Sequence, residues 1–141
     1  MTEEFVAPTI PALFDRIGPT LRSPTVLADP SAAMLRGFLS WGAADPEAVP
    51  TARLLAREGT LKSTLRSFPT ASLAADLVEA DRLQIRYTDE IPTSSVLVGP
   101  DRLYVLLEGE TRAGALSTTD VDLVADVGAA CRERFERAER F

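Results

Sequence analysis

An alternation of short β-type runs with amphipathic helical segments, which extends as far as Tyr87, most constrains the fold. Three runs have the composition of strands, and they are Pro24 to Ala28, Thr51 to Ala56 and Leu83 to Tyr87. Apolar residues at spacings of three and four lie between them, which is the pattern of helices that bury one face. Such alternation favours parallel strands joined by right-handed helical crossovers.

The pattern changes after Tyr87. Three further β-rich runs, Ser95 to Gly99, Arg102 to Leu107 and Thr111 to Ser117, are separated only by turn-like residues. Gaps this short allow only antiparallel hairpins. The sequence therefore predicts an α/β fold with a mixed sheet of about six strands, three parallel with helical crossovers and then an antiparallel meander. We expect helices to cover this sheet, a C-terminal helix to close it, and residues 1–141 to form a single α/β domain.

Local signals predict where the helices begin and which side chains they bury. Asp29 followed by Pro30 is a strong start for the second helix, with Asp29 as the N-cap. A short helix from Glu58 is expected to carry Leu61, Leu65 and Phe68 inward and to end at Pro69. Thr119 and Asp122 fit a capping box for the last helix. Its predicted buried stripe consists of Val121, Val124, Val127, Cys131, Phe135 and Ala138.

The chain lacks the residue types on which several common catalytic and metal sites depend. It has no histidine and one cysteine, so Ser-His and Cys-His nucleophiles, histidine acid–base chemistry and zinc sites are excluded. Its eight glycines form no phosphate-binding loop. Cys131, on the apolar stripe, is expected to act as a small hydrophobe. We therefore predict no enzyme activity, no metal and no cofactor.

The charge balance indicates which partners the chain avoids. The formal net charge is −6, and Lys62 is the only lysine, so 14 of the 15 basic residues are arginine. An acidic excess repels nucleic-acid phosphates.

The composition suits solubility at high salt, although the arginine enrichment equally fits a GC-rich genome. No apolar run is long enough to cross a membrane and the acidic N-terminus is unlike a signal peptide, so a cytoplasmic protein is expected.

Polar residues follow each of the three predicted parallel strands. Asp29 and Ser31 come after the first strand, Arg57 and Glu58 after the second, and Thr88, Asp89 and Glu90 after the third. Ligands bind at the carboxyl ends of parallel strands in open α/β sheets, so these residues are candidates for a ligand-binding rim. The alternative is that Asp29 is only a helix cap and that the others are solvated loop residues.

Four of these residues, together with Arg86 in the third strand, are candidates for contact with a ligand. For an anionic or sugar-like metabolite, Arg57 and Arg86 are candidates for charge-assisted contacts. Asp29, Ser31 and Glu58 would offer partners for ligand hydroxyl groups. Arg86 has a second interpretation, in which it pairs with an acidic residue on the sheet.

Four segments resemble a known family in the order in which they occur. They are VLADPSAAMLRGFL (Val26 to Leu39), LLAREGTLKSTLRSF (Leu54 to Phe68), ASLAADLVEADRLQIR (Ala71 to Arg86) and GALSTTDVDLVADVGAACRERFERAERF (Gly114 to Phe141). Together they are similar to the N-terminal domain of haloarchaeal TbsP-type transcriptional regulators.

This resemblance implies a phospholipase-D-like sensor domain of the kind found in TrmB-type regulators, linked to the control of sugar metabolism. DNA would be bound only through a C-terminal winged-helix domain that residues 1–141 do not include. Phospholipase chemistry needs the histidine of an H-x-K motif, and the chain has no histidine.

The leading hypothesis is thus a non-catalytic regulatory domain that forms a homodimer and senses a small metabolite. The last helix is the candidate dimer surface, although its apolar stripe is expected mostly to pack on its own sheet. Two alternatives remain open. One is a protein-interaction scaffold without a ligand, and the other is a small hydrolase that acts through two close, buried carboxylates.

Overall fold

A mixed eight-stranded sheet organises the part of the chain that the computed structural model describes, residues 2–45, 50–89 and 95–141. The strand order is β1-β7-β6-β5-β2-β3-β4-β8. The strands are β1 (Thr2–Ala7), β2 (Thr25–Ala28), β3 (Ala52–Ala56), β4 (Leu83–Tyr87), β5 (Val96–Val98), β6 (Leu103–Glu108), β7 (Ala113–Thr118) and β8 (Glu139–Arg140). The helices are α1 (Ile10–Ile17), α2 (Ala32–Ala44), α3 (Glu58–Thr64), α4 (Phe68–Glu79) and α5 (Val121–Arg137).

The predicted fold class is confirmed by the pairing of the central strands. β2, β3 and β4 are parallel neighbours, with α2 connecting the first pair and α3 and α4 connecting the second. β5 pairs with β2 in the antiparallel sense, and β5, β6 and β7 continue as a meander. The result is a parallel half and an antiparallel half that join between β2 and β5.

Two edge strands were missing from the sequence prediction. β1 pairs antiparallel with β7, and β8 adds two residues to the edge of β4. β1 has the sequence TEEFVA and buries only its last residue, so it lacks the apolar alternation of a half-buried strand. β8 is too short to produce any pattern. Both strands form because the neighbouring strand offers unpaired backbone groups.

The helix starts differ from the sequence prediction in three places. Ser31, not Asp29, is the N-cap of α2, since its side chain accepts a hydrogen bond from the Met34 amide at 3.0 Å. Asp120 caps α5 in place of the predicted Thr119–Asp122 box, because its carboxylate accepts from the Leu123 amide at 2.9 Å.

The third difference concerns Pro69. This residue lies in the first turn of α4, where a proline costs no hydrogen bond, rather than ending the preceding helix. Phe68 therefore begins α4 and is 83% exposed instead of turning inward.

Helices cover the two faces of the sheet unequally. α1, α2, α3 and α4 pack on one face over the larger core, which includes Leu27, Leu54 and the fully buried Tyr104. α5 packs on the other face against Val26 and Val98. The core is thus divided into two layers by the sheet, as expected for an α/β fold.

The buried face of α5 matches most of its predicted stripe. Val124, Cys131 and Phe135 are buried, and Val127 is half-buried. Val121 was predicted to belong to this stripe but is 80% exposed, because it lies in the first turn before the helix reaches the sheet. Among the described residues, no helix combines the length and hydropathy needed to cross a bilayer.

Candidate ligand-binding site

Of the five residues predicted to contact a ligand (Asp29, Ser31, Arg57, Glu58 and Arg86), three line one solvent-open cleft at the carboxyl ends of β2 and β3. Asp29, Ser31 and Arg57 surround a cavity of ≈ 380 Å³. Small-molecule pockets commonly measure about 300–1,000 Å³, so this rim cleft is at the small end of that range. Its other polar lining residues are Thr60, Ser95 and Glu108.

Parallel pairing explains why Asp29 and Arg57 meet. The Asp29 amide donates to the Leu55 carbonyl at 2.8 Å, so the ladder between β2 and β3 continues one residue past the end of β2. Asp29 then has a φ of 51°, in the left-handed region that aspartate tolerates better than most residues. This turn directs the chain from the strand into α2.

One ion pair joins these two residues across the cleft. Arg57 Nε lies 3.3 Å from Asp29 Oδ1, and the two side chains are 45% and 15% exposed respectively. A pair this open to solvent contributes little to stability, about 0–1 kcal/mol. The contact engages one carboxylate oxygen and one guanidinium nitrogen, so both groups keep further hydrogen-bonding atoms.

Ser31 connects the start of α2 to the antiparallel half of the sheet. While its oxygen accepts from the Met34 amide, its hydroxyl group donates to the carboxylate of Glu108 at the end of β6. Glu108 is exposed, so the described residues of the cleft do not include two buried carboxylates of the kind that the hydrolase alternative requires.

Ser95 supplies a buried hydroxyl group that has no hydrogen-bond partner among the described residues. Its carbonyl accepts from the Leu106 amide at 2.9 Å, which fixes its backbone next to β6. Buried polar groups are nearly always hydrogen-bonded, and the exceptions call for an explanation. The oxygen has almost no accessible surface, as has the similarly unpartnered hydroxyl oxygen of Thr64 in the core.

Sequence reasoning missed Ser95 and Glu108 because it followed only the ends of parallel strands. β5 runs antiparallel to β2 and pairs Val96 with Ala28, so the residue before β5 lies beside the residue after β2. Glu108 ends β6 at the same edge. The turns between the β-rich runs were a usable signal, since hairpin register determines which residues reach this edge.

The structure does not bring Glu58 and Arg86 into the cleft. Glu58 pairs with Lys62 one turn along α3, at 2.7 Å. Arg86 lies on the α5 side of the sheet, where its guanidinium donates to the Phe135 carbonyl at 2.7 Å and to the Glu136 carbonyl at 3.2 Å. It also lies 4.5 Å from the centre of the Phe135 ring.

Arg86 therefore stabilises the end of α5, and these contacts are with carbonyl groups and an aromatic ring rather than with an acidic side chain. It also lines a separate cavity of ≈ 420 Å³. Of the residues after the third strand, the Thr88 amide donates to the Ala56 carbonyl at 3.1 Å, and Asp89 is exposed. Glu90 lies outside the described residues.

Cys131 is fully buried, and burial raises the pKa of its thiol, which leaves the group unreactive at neutral pH. Within residues 2–45, 50–89 and 95–141, no cluster of three or more metal-ligating side chains occurs.

A second cavity lies between α3, α4 and the C-terminus. This groove measures ≈ 650 Å³ and is lined largely by apolar side chains, among them Leu65, Val78 and Phe141. It is larger than the rim cleft but less polar. Lys62, Arg66 and Glu79 are its charged lining residues. The rim cleft has the larger share of polar groups, which orient a bound ligand.

Several solved structures have a fold similar to that of this chain. TrmBL2, described as an archaeal chromatin protein with a novel mode of DNA binding, superposes with a TM-score of 0.64 at 17% identity over 98% of this chain. The chain spans 54% of TrmBL2. Nuc, a phospholipase D family member from Salmonella typhimurium, gives 0.63 at 6% identity, over 100% of this chain and 99% of Nuc.

Polyphosphate kinase from Porphyromonas gingivalis gives a TM-score of 0.61 at 15% identity, over 94% of this chain and 25% of the kinase. At these identities the comparisons show a shared fold, which is phospholipase-D-like. No curated protein matches the sequence. The profile of one family, described as "Transcriptional regulator TbsP-like, N-terminal", matches residues 2–141. The chain therefore belongs to the TbsP-like transcriptional regulators, as their N-terminal domain.

Proposed function

We propose that this domain is the signal-receiving, non-catalytic part of a transcription regulator and that it binds a small metabolite in the rim cleft. The observation that carries the proposal is the convergence of Asp29, Ser31, Arg57 and Ser95 on one cavity of ≈ 380 Å³.

Membership in the family supports the regulatory role. The proposal adds three further parts: the kind of signal, the cellular location and the way in which DNA is contacted. The signal is linked to sugar metabolism, the protein acts in the cytoplasm, and DNA is contacted by a domain outside residues 1–141. A net charge of −6 agrees with that division, since it disfavours contact between this domain and DNA.

The proposal includes a homodimer. The stripe of α5 that packs on its own sheet is not available to a partner, but Val121 and Leu123 in its first turn are exposed. Light scattering at the working salt concentration tests this part, and a monomer at all accessible concentrations would remove it.

Thermal unfolding in the presence of a metabolite panel tests metabolite binding. The panel contains sugars, sugar phosphates, organic acids, amino acids and nucleotides. A compound at 100 times its Kd stabilises the folded state by about 2.7 kcal/mol, which is a readily measured increase in Tm. We expect at least one class to raise the Tm of the wild type.

Two arginine variants show where the compound binds. Arg57→Gln should weaken the effect because it removes the guanidinium that faces the cleft, while Arg36→Gln, at an exposed position on α2, should leave it unchanged. If no class raises the Tm, or if Arg57→Gln responds like the wild type, binding in the rim cleft is refuted.

A further inference from the structure

We infer that a second binding site lies where β8 meets β4 and that it takes an amphipathic monocarboxylate. The carboxylate head lies between Arg86 and Arg140, and the hydrocarbon body lies in the groove between α3 and α4. The site goes beyond the proposed function, because it shares no described lining residue with the rim cleft.

Two cavities adjoin at this edge of the sheet. The groove between α3 and α4 measures ≈ 650 Å³, and the cavity beside Arg86 measures ≈ 420 Å³. Val78, Ile85 and Phe141 line both of them. β8 pairs with only the last two residues of β4, and the Phe141 amide then donates to the Ile85 carbonyl at 3.3 Å. One elongated ligand can therefore occupy both spaces by passing over this edge.

An arginine pair provides the contact for the head group. Arg86 and Arg140 lie directly opposite each other on β4 and β8, and both line the smaller cavity. Like charges in this arrangement destabilise a strand pair. Arg86 donates to two carbonyls at the end of α5, whereas Arg140 has no ion-pair partner in the part of the chain that the structure describes. An anion bound between the two guanidinium groups offsets their repulsion.

The charge of the smaller cavity indicates the charge of the head group. Asp81 is the only acidic residue among its described lining residues, so two positive charges face one negative charge. This local excess of one positive charge contrasts with the net charge of −6 for the whole chain. Guanidinium groups bind carboxylates through paired, charge-assisted hydrogen bonds. A single carboxylate neutralises the cavity, whereas a doubly charged phosphate monoester would exceed its charge.

The groove provides the contact for the hydrocarbon body. Leu65, Ala74 and Ala75 belong to its apolar lining, together with the residues that it shares with the smaller cavity. Val78 and Phe141 are large apolar side chains that are 43% and 54% exposed. Apolar surface gathered around a concavity is typical of ligand or partner sites. A hydrocarbon chain in the groove removes this surface from water while its head group stays at the arginine pair.

Three probes separate the contribution of the head from that of the body. Octanoate has a carboxylate and a hydrocarbon chain, octanamide has a neutral head on the same chain, and butyrate has the same head on a shorter chain. Isothermal titration calorimetry at matched, low ionic strength should give the tightest binding for octanoate. Octanamide should bind about five- to tenfold more weakly because it forms no ion pair. Butyrate should bind at least about tenfold more weakly, since each buried methylene group contributes about three- to fourfold.

Two pairs of variants show where octanoate binds. Arg140→Gln should weaken octanoate binding about five- to tenfold and leave octanamide binding unchanged, while Arg36→Gln, at an exposed position on α2, should change neither. Phe141→Ala should weaken the binding of both probes. Phe68→Ala, which removes an 83% exposed phenylalanine that lines neither cavity, should leave both unchanged.

Three results would overturn the inference. They are equal affinities for octanoate and octanamide, an Arg140→Gln variant that binds octanoate like the wild type, and no octanoate binding at up to about 20 mM. In the last case, a loss of dimer on Phe141→Ala in light scattering would assign the groove to contact between two copies of the chain. None of these results bears on the rim cleft, which the metabolite panel and Arg57→Gln test separately.

Discussion

Replacing Arg86 with methionine should destabilise the fold, because this arginine secures the C-terminal end of α5. The guanidinium donates to the carbonyls of Phe135 and Glu136 and lies over the Phe135 ring. Methionine keeps an unbranched apolar stem and removes the charge and the donors. The substitution therefore isolates the polar contacts of Arg86 from the packing of its alkyl chain.

The expected loss follows from three contributions. Hydrogen bonds from a charged donor contribute about 1.5–3 kcal/mol, a cation at a helix C-terminus about 0.3–1 kcal/mol and a cation–π contact about 0.5–1 kcal/mol. The Glu136 carbonyl is exposed and regains water as a partner. We therefore expect the free energy of unfolding to fall by about 2–3 kcal/mol, less than the full sum.

Arg53 provides a matched control. Its guanidinium lies 5.6 Å from the centre of the same Phe135 ring. Arg53→Met should cost less than about 1 kcal/mol, the contribution of an exposed cation–π contact. Urea unfolding followed by circular dichroism measures both variants, provided that the transition is two-state. A loss below about 0.5 kcal/mol for Arg86→Met, or equal losses for the two variants, would refute this role of Arg86.

Three further predictions concern the cap of α2, the core and the buried thiol. Ser31→Ala should lower the free energy of unfolding by about 1 kcal/mol because it removes the N-cap; chemical denaturation measures the loss, and no loss would contradict the cap assignment. Tyr104→Phe should cost about 1 kcal/mol, since the buried hydroxyl group that it removes bonds to Thr20; an unchanged urea midpoint would contradict that contact. Because burial raises the pKa of the Cys131 thiol above its ordinary value of 9.0, the folded state keeps a proton that the unfolded state loses, so stability should fall as the pH rises above that value. Denaturation of the wild type and Cys131→Val at pH 8 and pH 10 isolates this effect, and equal changes in the two proteins would contradict it.

Local periodicity was sufficient to predict the central strands and the helices. β2 and β3 are buried runs and β4 is partly buried, and all three lie between helices. The pattern is local because each element buries its own apolar face. β1 escaped prediction because its position depends on β7, more than a hundred residues later in the chain. Edge strands of this kind carry little local signal.

From the sequence, only the site residues that follow parallel strands could be predicted. Asp29, Ser31 and Arg57 were found because strand ends converge at one edge of the sheet. The position of Arg86 depends on which face α5 covers, and strand alternation alone does not show this. Ser95 and Glu108 depend on hairpin register, which is a property of the assembled sheet.

The central claim is that a small metabolite binds at the rim cleft, and amide chemical-shift mapping tests it most directly. The ¹⁵N-labelled domain is titrated with the panel compound that raises its Tm most. The account predicts that the shifted amides cluster at Asp29, Ser31, Arg57 and Ser95, which line the ≈ 380 Å³ cleft. Shifts that cluster instead at Leu65, Val78 and Phe141, in the larger groove between α3 and α4, would contradict it.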